Sequence, residues 1–543
     1  MKKLLIVFVV LFSFQNLLSQ SIKEKKLYEG SNMEIYSLYD FKYHEKTGSF
    51  LYTKSDTATY RTKIISNKGN SVEYYNASSY AAQFDNSGNY YLTASNNINE
   101  TKNIYYFIKN GVELRQYENI KEPINMNGSN IYFAASEKGK DFLVKYNTLT
   151  GDFENGPAYD TINYVFIKSL QYYEGEPSFE IGFTKDGSPF YHASNNGKHM
   201  IVVGNTELKK YDYIELYNIV LDNNGGICYT GVNVVDGKNE YYFVQGDREY
   251  GKFTNIMMPV VFDSANVPVF SASDAPGDYP SEQFVVRGSE KISGRFNRGV
   301  YDILITPSGK IAYNGNDTLP DGSLVNTLFV DGKEVAKYSS IFDIKFKNND
   351  VPVFVGGTNY ESFVVDGNKI ISDKYGYVFD LTVKKDGIIS YTGINYGDNE
   401  KNIPDQYYFV YGKKKHGPFK DIMMAERMDD QVVFNDKGDY AYTAFVTKPG
   451  KEYDITKFFV SGNGWKSDKY DGAMDLCSYK NDFYYTCMNY YDNGKSEQQV
   501  FKNDEKLGNE YELIANFSLD KNKGVITYYG IKKSKIYLVT VTL

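Results

Sequence analysis

The chain is poor in the residues that usually carry chemistry. Its 543 residues include one tryptophan, three cysteines and four histidines. Three cysteines cannot build a disulfide framework. Cys228 and Cys487 follow turn-plus-aromatic patterns and belong in inner strands, while Cys477 takes the repeat position of Phe434. Cys477 and Cys487 sit on two arms of one hairpin, but the turn near Asn481 offsets them beyond disulfide reach. All three are expected as buried thiols acting as small hydrophobes.

The histidines, His44, His192, His199 and His416, are scattered over the sequence. His192 and His199 share one repeat unit but are expected on different strands, in surface or rim roles rather than as ligands. Asp-rich turns such as Asp85-Asn86-Ser87-Gly88 lack the full ligand series of a calcium loop. A Gly-x-Ser-x-Gly elbow on an α/β domain, the mark of propeller-capped serine peptidases, is missing. Paired carboxylates for glycoside cleavage cannot be picked from 68 acidic residues. The expectation is therefore a protein that catalyses nothing, with no cofactor and no metal.

Clustered basic residues are scarce, and the formal charge is −8. Nucleic acid is excluded as a partner, because phosphates demand grouped Lys and Arg. Lys413-Lys414-Lys415-His416 falls in a hairpin turn and reads as exposed charge. Beyond the N-terminus there is no long apolar run and no amphipathic run of helical period. Direct membrane insertion is not expected.

What is present begins with an address. Lys2 and Lys3 precede an apolar run from Leu4 to Phe12 and a polar stretch ending near Ser19 to Ser21. That order reads as a secretory signal peptide over residues 1–20. Its removal takes two lysines, leaving −10 from −8. The first cysteine is Cys228, so no lipid attachment is expected at the cleavage point. The mature chain should be soluble, exported and periplasmic.

Tyrosine is abundant at 53 residues. It suits strands and keeps a polar tip for edges and rims. These tyrosines fall in short runs broken by two alternating families of turn. One family is centred on Gly48, Gly88, Gly128, Gly187, Gly225, Gly309, Gly387, Gly438 and Gly524, with members lacking glycine at Asn266, Asn349 and Asn481. The other follows strands such as Tyr407-Tyr408-Phe409-Val410, at Gly111, Asn147, Gly204, Gly246, Gly288, Gly332, Gly367, Gly412, Gly462 and Asn503. A unit of about 42 residues with two hairpins is a four-stranded sheet. Strands apolar throughout, without in-out alternation, require burial on both faces.

Radially stacked sheets meet that requirement, so the expected fold is an all-β β-propeller of about twelve four-stranded blades. Ordinary propellers have about 4 to 8 blades. Two in tandem are expected, the first over residues 21–300 and the second over 301–543, with a five-plus-seven split also open. Met33 to Leu38 is a candidate strand for closing a ring. Gly156 to Glu180 fits neither hairpin and reads as an extra strand or a crossover between rings.

The first hairpin reads Phe84-Asp85-Asn86-Ser87-Gly88-Asn89-Tyr90-Tyr91 in one copy. It reads Ile305-Thr306-Pro307-Ser308-Gly309-Lys310-Ile311-Ala312-Tyr313 and Phe434-Asn435-Asp436-Lys437-Gly438-Asp439-Tyr440-Ala441-Tyr442 in two others. It resembles the WD40-like repeat of TolB-type bacterial propellers. The resemblance implies a propeller working in the envelope through protein contacts. The Gly-His and Trp-Asp pairs of eukaryotic WD40 repeats and TolB's own N-terminal domain are missing.

Long insertions fall between second and third strands, at Ser271 to Gln283, Asn314 to Val325, Asn395 to Gln406 and Val446 to Lys457. Insertions repeated on one face are where repeat proteins build binding surfaces. The candidate binding residues are Pro276, Tyr279, Pro320, Tyr396, Pro404, Pro449 and Tyr453. The expected function is that of a protein-binding subunit of a cell-envelope assembly, docking on or plugging an outer-membrane transport or protein-export channel. The alternative is a glycan-binding protein or glycoside-active enzyme, which a single tryptophan disfavours.

Overall fold

A computed structural model describes residues 21–29, 41–397 and 405–543, apart from 57, 70, 78, 80, 100–101, 164, 166–180, 276–281, 359, 420–431, 449–450 and 492–494. The signal segment, Met33 to Leu38 and most of Gly156 to Glu180 lie outside the described residues. What is described is strand and turn, without helix. Twelve antiparallel sheets succeed one another along the chain, ten of four strands and two with a short extra strand. They are the blades of a β-propeller.

The turn signature has a hydrogen-bond reason. At the first turn of several blades one side-chain oxygen accepts the backbone amides that the reversal leaves unpaired. Asp85 Oδ1 accepts from Ser87 N and Asn89 N, both at 2.9 Å. Asp222, Asp263 and Asn435 repeat the arrangement. The glycine that follows takes the left-handed conformation, φ +73° at Gly88 and +75° at Gly438. The other oxygen of Asp222 accepts from Gln245 and Asn266, and that of Asp263 from Arg287, so these carboxylates are engaged within the protein.

Burial explains the missing alternation. In the fifth blade the second strand, Ile227–Val235, is buried over its first six residues, and the third, Lys238–Gln245, is buried or half-buried beyond its exposed first residue. The fourth, Arg248–Phe253, has half of its residues exposed to water and one, Tyr250, buried. Cores form between consecutive blades: Phe243 of blade five faces Phe270 of blade six at 5.3 Å between ring centroids. Cys228 and Cys487 are buried in second strands and Cys477 is half-buried in a first strand, with no disulfide among them.

Consecutive blades are also latched by polar side chains. The opening amide of a first strand is received by a side chain at the third strand of the blade before. Ile162 N donates to Asp141, Val300 N to Gln283 and Ile341 N to Asn326, at 2.9, 3.0 and 3.4 Å. A blade-ending aromatic then lies over a second-strand glycine of the next blade. A Cβ on Gly231 would stand 2.6 Å from the Tyr211 ring, and one on Gly315 would stand 2.2 Å from Phe296.

The chain divides into two compact units, Lys42–Ile388 and Met1–Phe41 with Ile389–Leu543. In the first unit, first strands of neighbouring blades approach one another: Asp343 Oδ2 accepts Leu381 N at 2.9 Å. First strands are therefore the axial edge and the solvated fourth strands the rim. In the second unit the final blade has the order Ser21–Glu29, Lys535–Thr542, Val525–Lys532, Leu513–Asp520. Its rim strand is the N-terminal one, with Ser21 opposite Thr542. Residue 300 opens the strand Val300–Ile305, which begins the seventh blade.

Candidate functional site

Pro320 and Tyr396 are the two loop candidates placed in described turns. Pro320 is exposed between the strands Ile311–Thr318 and Leu324–Val330, and Tyr396 follows Ile389–Asn395 and is 63% exposed. Pro276, Tyr279, Pro404 and Pro449 lie outside the described residues. Tyr453 falls within the strand Lys451–Gly462, so the insertion there is largely a lengthened hairpin.

The histidine expectation needs correction. His192 and His199 do lie on different strands of one blade, but His192 is buried and neither forms a rim patch. His192 Nε2 and His199 Nδ1 share a hydrogen bond of 3.0 Å, and His192 Nδ1 lies 3.2 Å from Asn163 Nδ2. Burial, and then the neighbouring His199, lower the His192 pKa to about 4. Among the described residues no three His, Cys, Asp or Glu side chains are placed to hold a metal ion. No described helix is long and apolar enough to cross a membrane.

A second set of residues escaped the sequence reading. In blade after blade the first strand loses register with the second at the same level, forming a β-bulge. Within Lys42–Ile388 the shift falls between Lys121 and Asn125, Glu215 and Val220, Met257 and Val261, Val300 and Asp302, and Phe342 and Lys345. In the other unit it recurs between Met474 and Cys477 and between Ala515 and Ser518. Bulges re-aim side chains and cluster at functional edges.

Acids occupy many of these bulges. Asp343, Asp380 and Asp475 adopt positive φ, at 50°, 56° and 57°. Glu122, Glu215 and Asp302 sit at the same level. Burial pushes the carboxyl groups of Glu215, Asp302 and Asp475 above the usual carboxylate range. Aromatic residues stand beside the acids: Tyr301 is 60% exposed, and Phe342 and Tyr377 stack with centroids 5.5 Å apart. The usable signal was Tyr or Phe, two residues, then Ile, Val or Ala, as in Tyr338-Ser339-Ser340-Ile341 and Tyr375-Gly376-Tyr377-Val378. It marks the start of several first strands, and after Ile120, Ile341, Val378 and Ala473 an acid follows two places later.

Two clefts are of a different kind. One, of about 500 Å³, lies between blades six and seven and includes Asp263, Arg287, Lys310 and Tyr313. Its Arg287–Asp263 pair, at 2.6 Å, already satisfies both partners. The other, of about 800 Å³, is an open basic hollow around Lys466, Lys469 and Lys506.

No protein-family model and no curated protein matches the chain. Solved structures do. The β-propeller domain of the Trilobed protease from Pyrococcus furiosus is similar over 55% of this chain and 95% of that one, at 11% identity and TM-score 0.23. The acylaminoacyl peptidase of Pyrococcus horikoshii matches over 61% of this chain and 58% of that one, at 10% identity and TM-score 0.25. An oligogalacturonate lyase in complex with manganese matches over 58% and 93%, at 13% identity and TM-score 0.26. These likenesses concern the fold alone. The expectation of a protein without catalysis is corrected by them, since the matched propellers include those of peptidases and a lyase. The flat exclusion of enzyme activity is not retained.

Proposed function

We propose that the chain is an exported, TolB-like propeller that binds a protein partner in the bacterial envelope. The observation that supports it best is the belt of first-strand bulges. It holds tyrosines exposed and carboxylates half-buried at the axial edge, where neither the cores nor the turns use them. Exposed aromatics among polar groups are the usual composition of a protein-contact patch. The second-to-third-strand connections carrying Pro320 and Tyr396 are the accessory contact.

The signal-like N-terminus, Lys2 and Lys3 before the apolar run from Leu4 to Phe12, supports a periplasmic location. On this reading the partner is an outer-membrane channel for transport or protein export, which a multi-bladed body caps or plugs. Affinity purification from solubilised membranes at native expression is the test. Co-recovery of an outer-membrane protein supports the reading, and recovery of the protein alone overturns it.

A further inference from the structure

Three adjacent first strands, Val300–Ile305, Ser340–Phe346 and Tyr377–Val383, each carry an aromatic residue followed by aspartate. It is Tyr301-Asp302 in blade seven, Phe342-Asp343 in blade eight and Phe379-Asp380 in blade nine. The rings of blades eight and nine form an apolar row. Phe342 stacks on Tyr377 with an interplanar angle of 12°, and Tyr377 stacks on Phe379 at 21°. Tyr301 at 60% and Tyr377 at 42% exposure offer their faces to a ligand.

The acids beside this row are not equally provided for. Asp343 accepts Leu381 N at 2.9 Å and pairs with Lys345 at 2.9 Å. Half-buried Asp302 receives a long hydrogen bond, 3.5 Å, from Asn314 Nδ2. Asn314 is opposite Asp302 in the ladder, so both side chains lie on one face. It is fully buried, at 0% exposure. Its Nδ2 donates to Ile341 O at 2.9 Å, which fixes the amide orientation and leaves Oδ1 with no hydrogen-bond partner. Unmatched acceptors in a buried setting are costly. A half-buried carboxylate and a buried amide oxygen thus stand together, short of donors, next to exposed aromatic faces.

We propose that this edge of blades seven to nine binds lysine or arginine side chains of a protein partner. The inference rests on the protein-binding reading above and names the chemistry of the partner's contact. Lys345 is the cation near Asp302, but it is paired with Asp343. A guanidinium or ammonium brings the donors that Asp302 and Asn314 lack and a cation of their own, and its cationic face stacks on Tyr301 or Tyr377. A neutral sugar would bring donors but leave the desolvated carboxylate uncompensated. A hard metal ion is disfavoured, because no third carboxylate converges among the described residues. The net formal charge of −8 draws cationic segments from a distance.

The test uses the mature full-length protein and a fluorescent octapeptide of alternating glycine and arginine. Binding is read by anisotropy at about 0.15 M salt, where exposed charges beyond about 8 Å are screened. Asp302→Asn should weaken binding about tenfold, the loss expected of a charge-assisted contact. Tyr301→Ala should weaken it about threefold, the loss of one cation–π contact. Glu290→Gln, an exposed acid on the rim strand of blade six, should leave binding unchanged. Tyr301 is exposed enough that its variant reports on binding even if Asp302→Asn folds poorly.

Binding within twofold of wild type in both variants overturns the site, as does an equal loss in Glu290→Gln. Displacement of the octapeptide by maltoheptaose at the same residues overturns the cationic assignment in favour of a sugar. If membranes return a partner that both variants still hold, this inference falls and the protein-binding reading stands. If the protein is recovered alone while the octapeptide binds through Asp302, the site stands and that reading falls.

Discussion

The Tyr511 hydroxyl donates a hydrogen bond to the Glu24 carboxylate, across 487 residues of sequence. Two other blades make the same bond locally: Tyr74 donates to Glu113 at 3.0 Å and Tyr211 to Glu249 at 2.5 Å. In each case a tyrosine ending one blade reaches a glutamate on the rim strand of the next. Glu24 therefore stands where Glu113 and Glu249 stand, and Ser21–Glu29 is a true fourth strand rather than an arm laid on the surface.

Tyr511→Phe should cost about 1–2 kcal/mol, the loss of one hydrogen bond to a charged acceptor. Asn509 Nδ2, at 2.7 Å, still holds Glu24 in that variant. A mature chain beginning at residue 30 should lose much more, because eight paired positions along Lys535–Thr542 become an open edge. Thermal melting of the two variants checks this. Equal melting of the truncated and intact chains would refute the role of the strand.

The stacking of Tyr211 on Gly231 leaves no room for a methyl group. Gly231→Ala is expected to destabilise by about 1–3 kcal/mol through overpacking. Adding Tyr211→Ala should relieve part of that cost, so a double-mutant cycle reads less than the sum of the single losses. Strict additivity would mean the two residues do not press on each other.

Asp302 should lower stability at neutral pH. Burial first, and then the nearby Asp343, raise its carboxyl pKa, so the folded state holds the proton more tightly than the unfolded chain. Stability then falls as pH rises from the ordinary carboxylate value, about 3.9, through the folded one. Asp302→Asn should melt higher than wild type at pH 7, and the gain should vanish below about pH 3.9. Melting curves across that range decide it; a variant less stable at pH 7 contradicts the account.

His192 gives the opposite trend. Its folded pKa of about 4 lies below the ordinary 6.5. The unfolded chain therefore takes up a proton first, and the stabilisation present above pH 6.5 is lost as pH falls toward about 4. The full effect is on the order of 3 kcal/mol. His192→Gln should flatten the dependence of melting temperature on pH in that interval. An unchanged slope would show that other groups carry it.

Much of the architecture was legible along the chain, for a local reason. Many first turns need a capping Asp, Asn or Thr and a left-handed residue, most often glycine and in two cases Asn266 or Asp350, so Asp85-Asn86-Ser87-Gly88 and its copies count the blades. Burial on both faces left runs such as Tyr407-Tyr408-Phe409-Val410 without alternation, which distinguished stacked blades from an open sheet. The binding edge was not legible. A bulge is a mismatch between two strands, and neither strand shows it alone, so Asp343 and Asp475 read as unremarkable acids among 68.

The sequence by itself determined the repeat, the number of blades and the double-sided burial, because hairpin chemistry is written within a few residues. Tertiary structure alone decided that Ser21–Glu29 completes the last blade, that His192 and His199 share a hydrogen bond, and that Asp302 and Asn314 face each other across a bulge. Each of those depends on which distant backbone passes nearby, and that is set by the packing of whole blades rather than by neighbours in the chain.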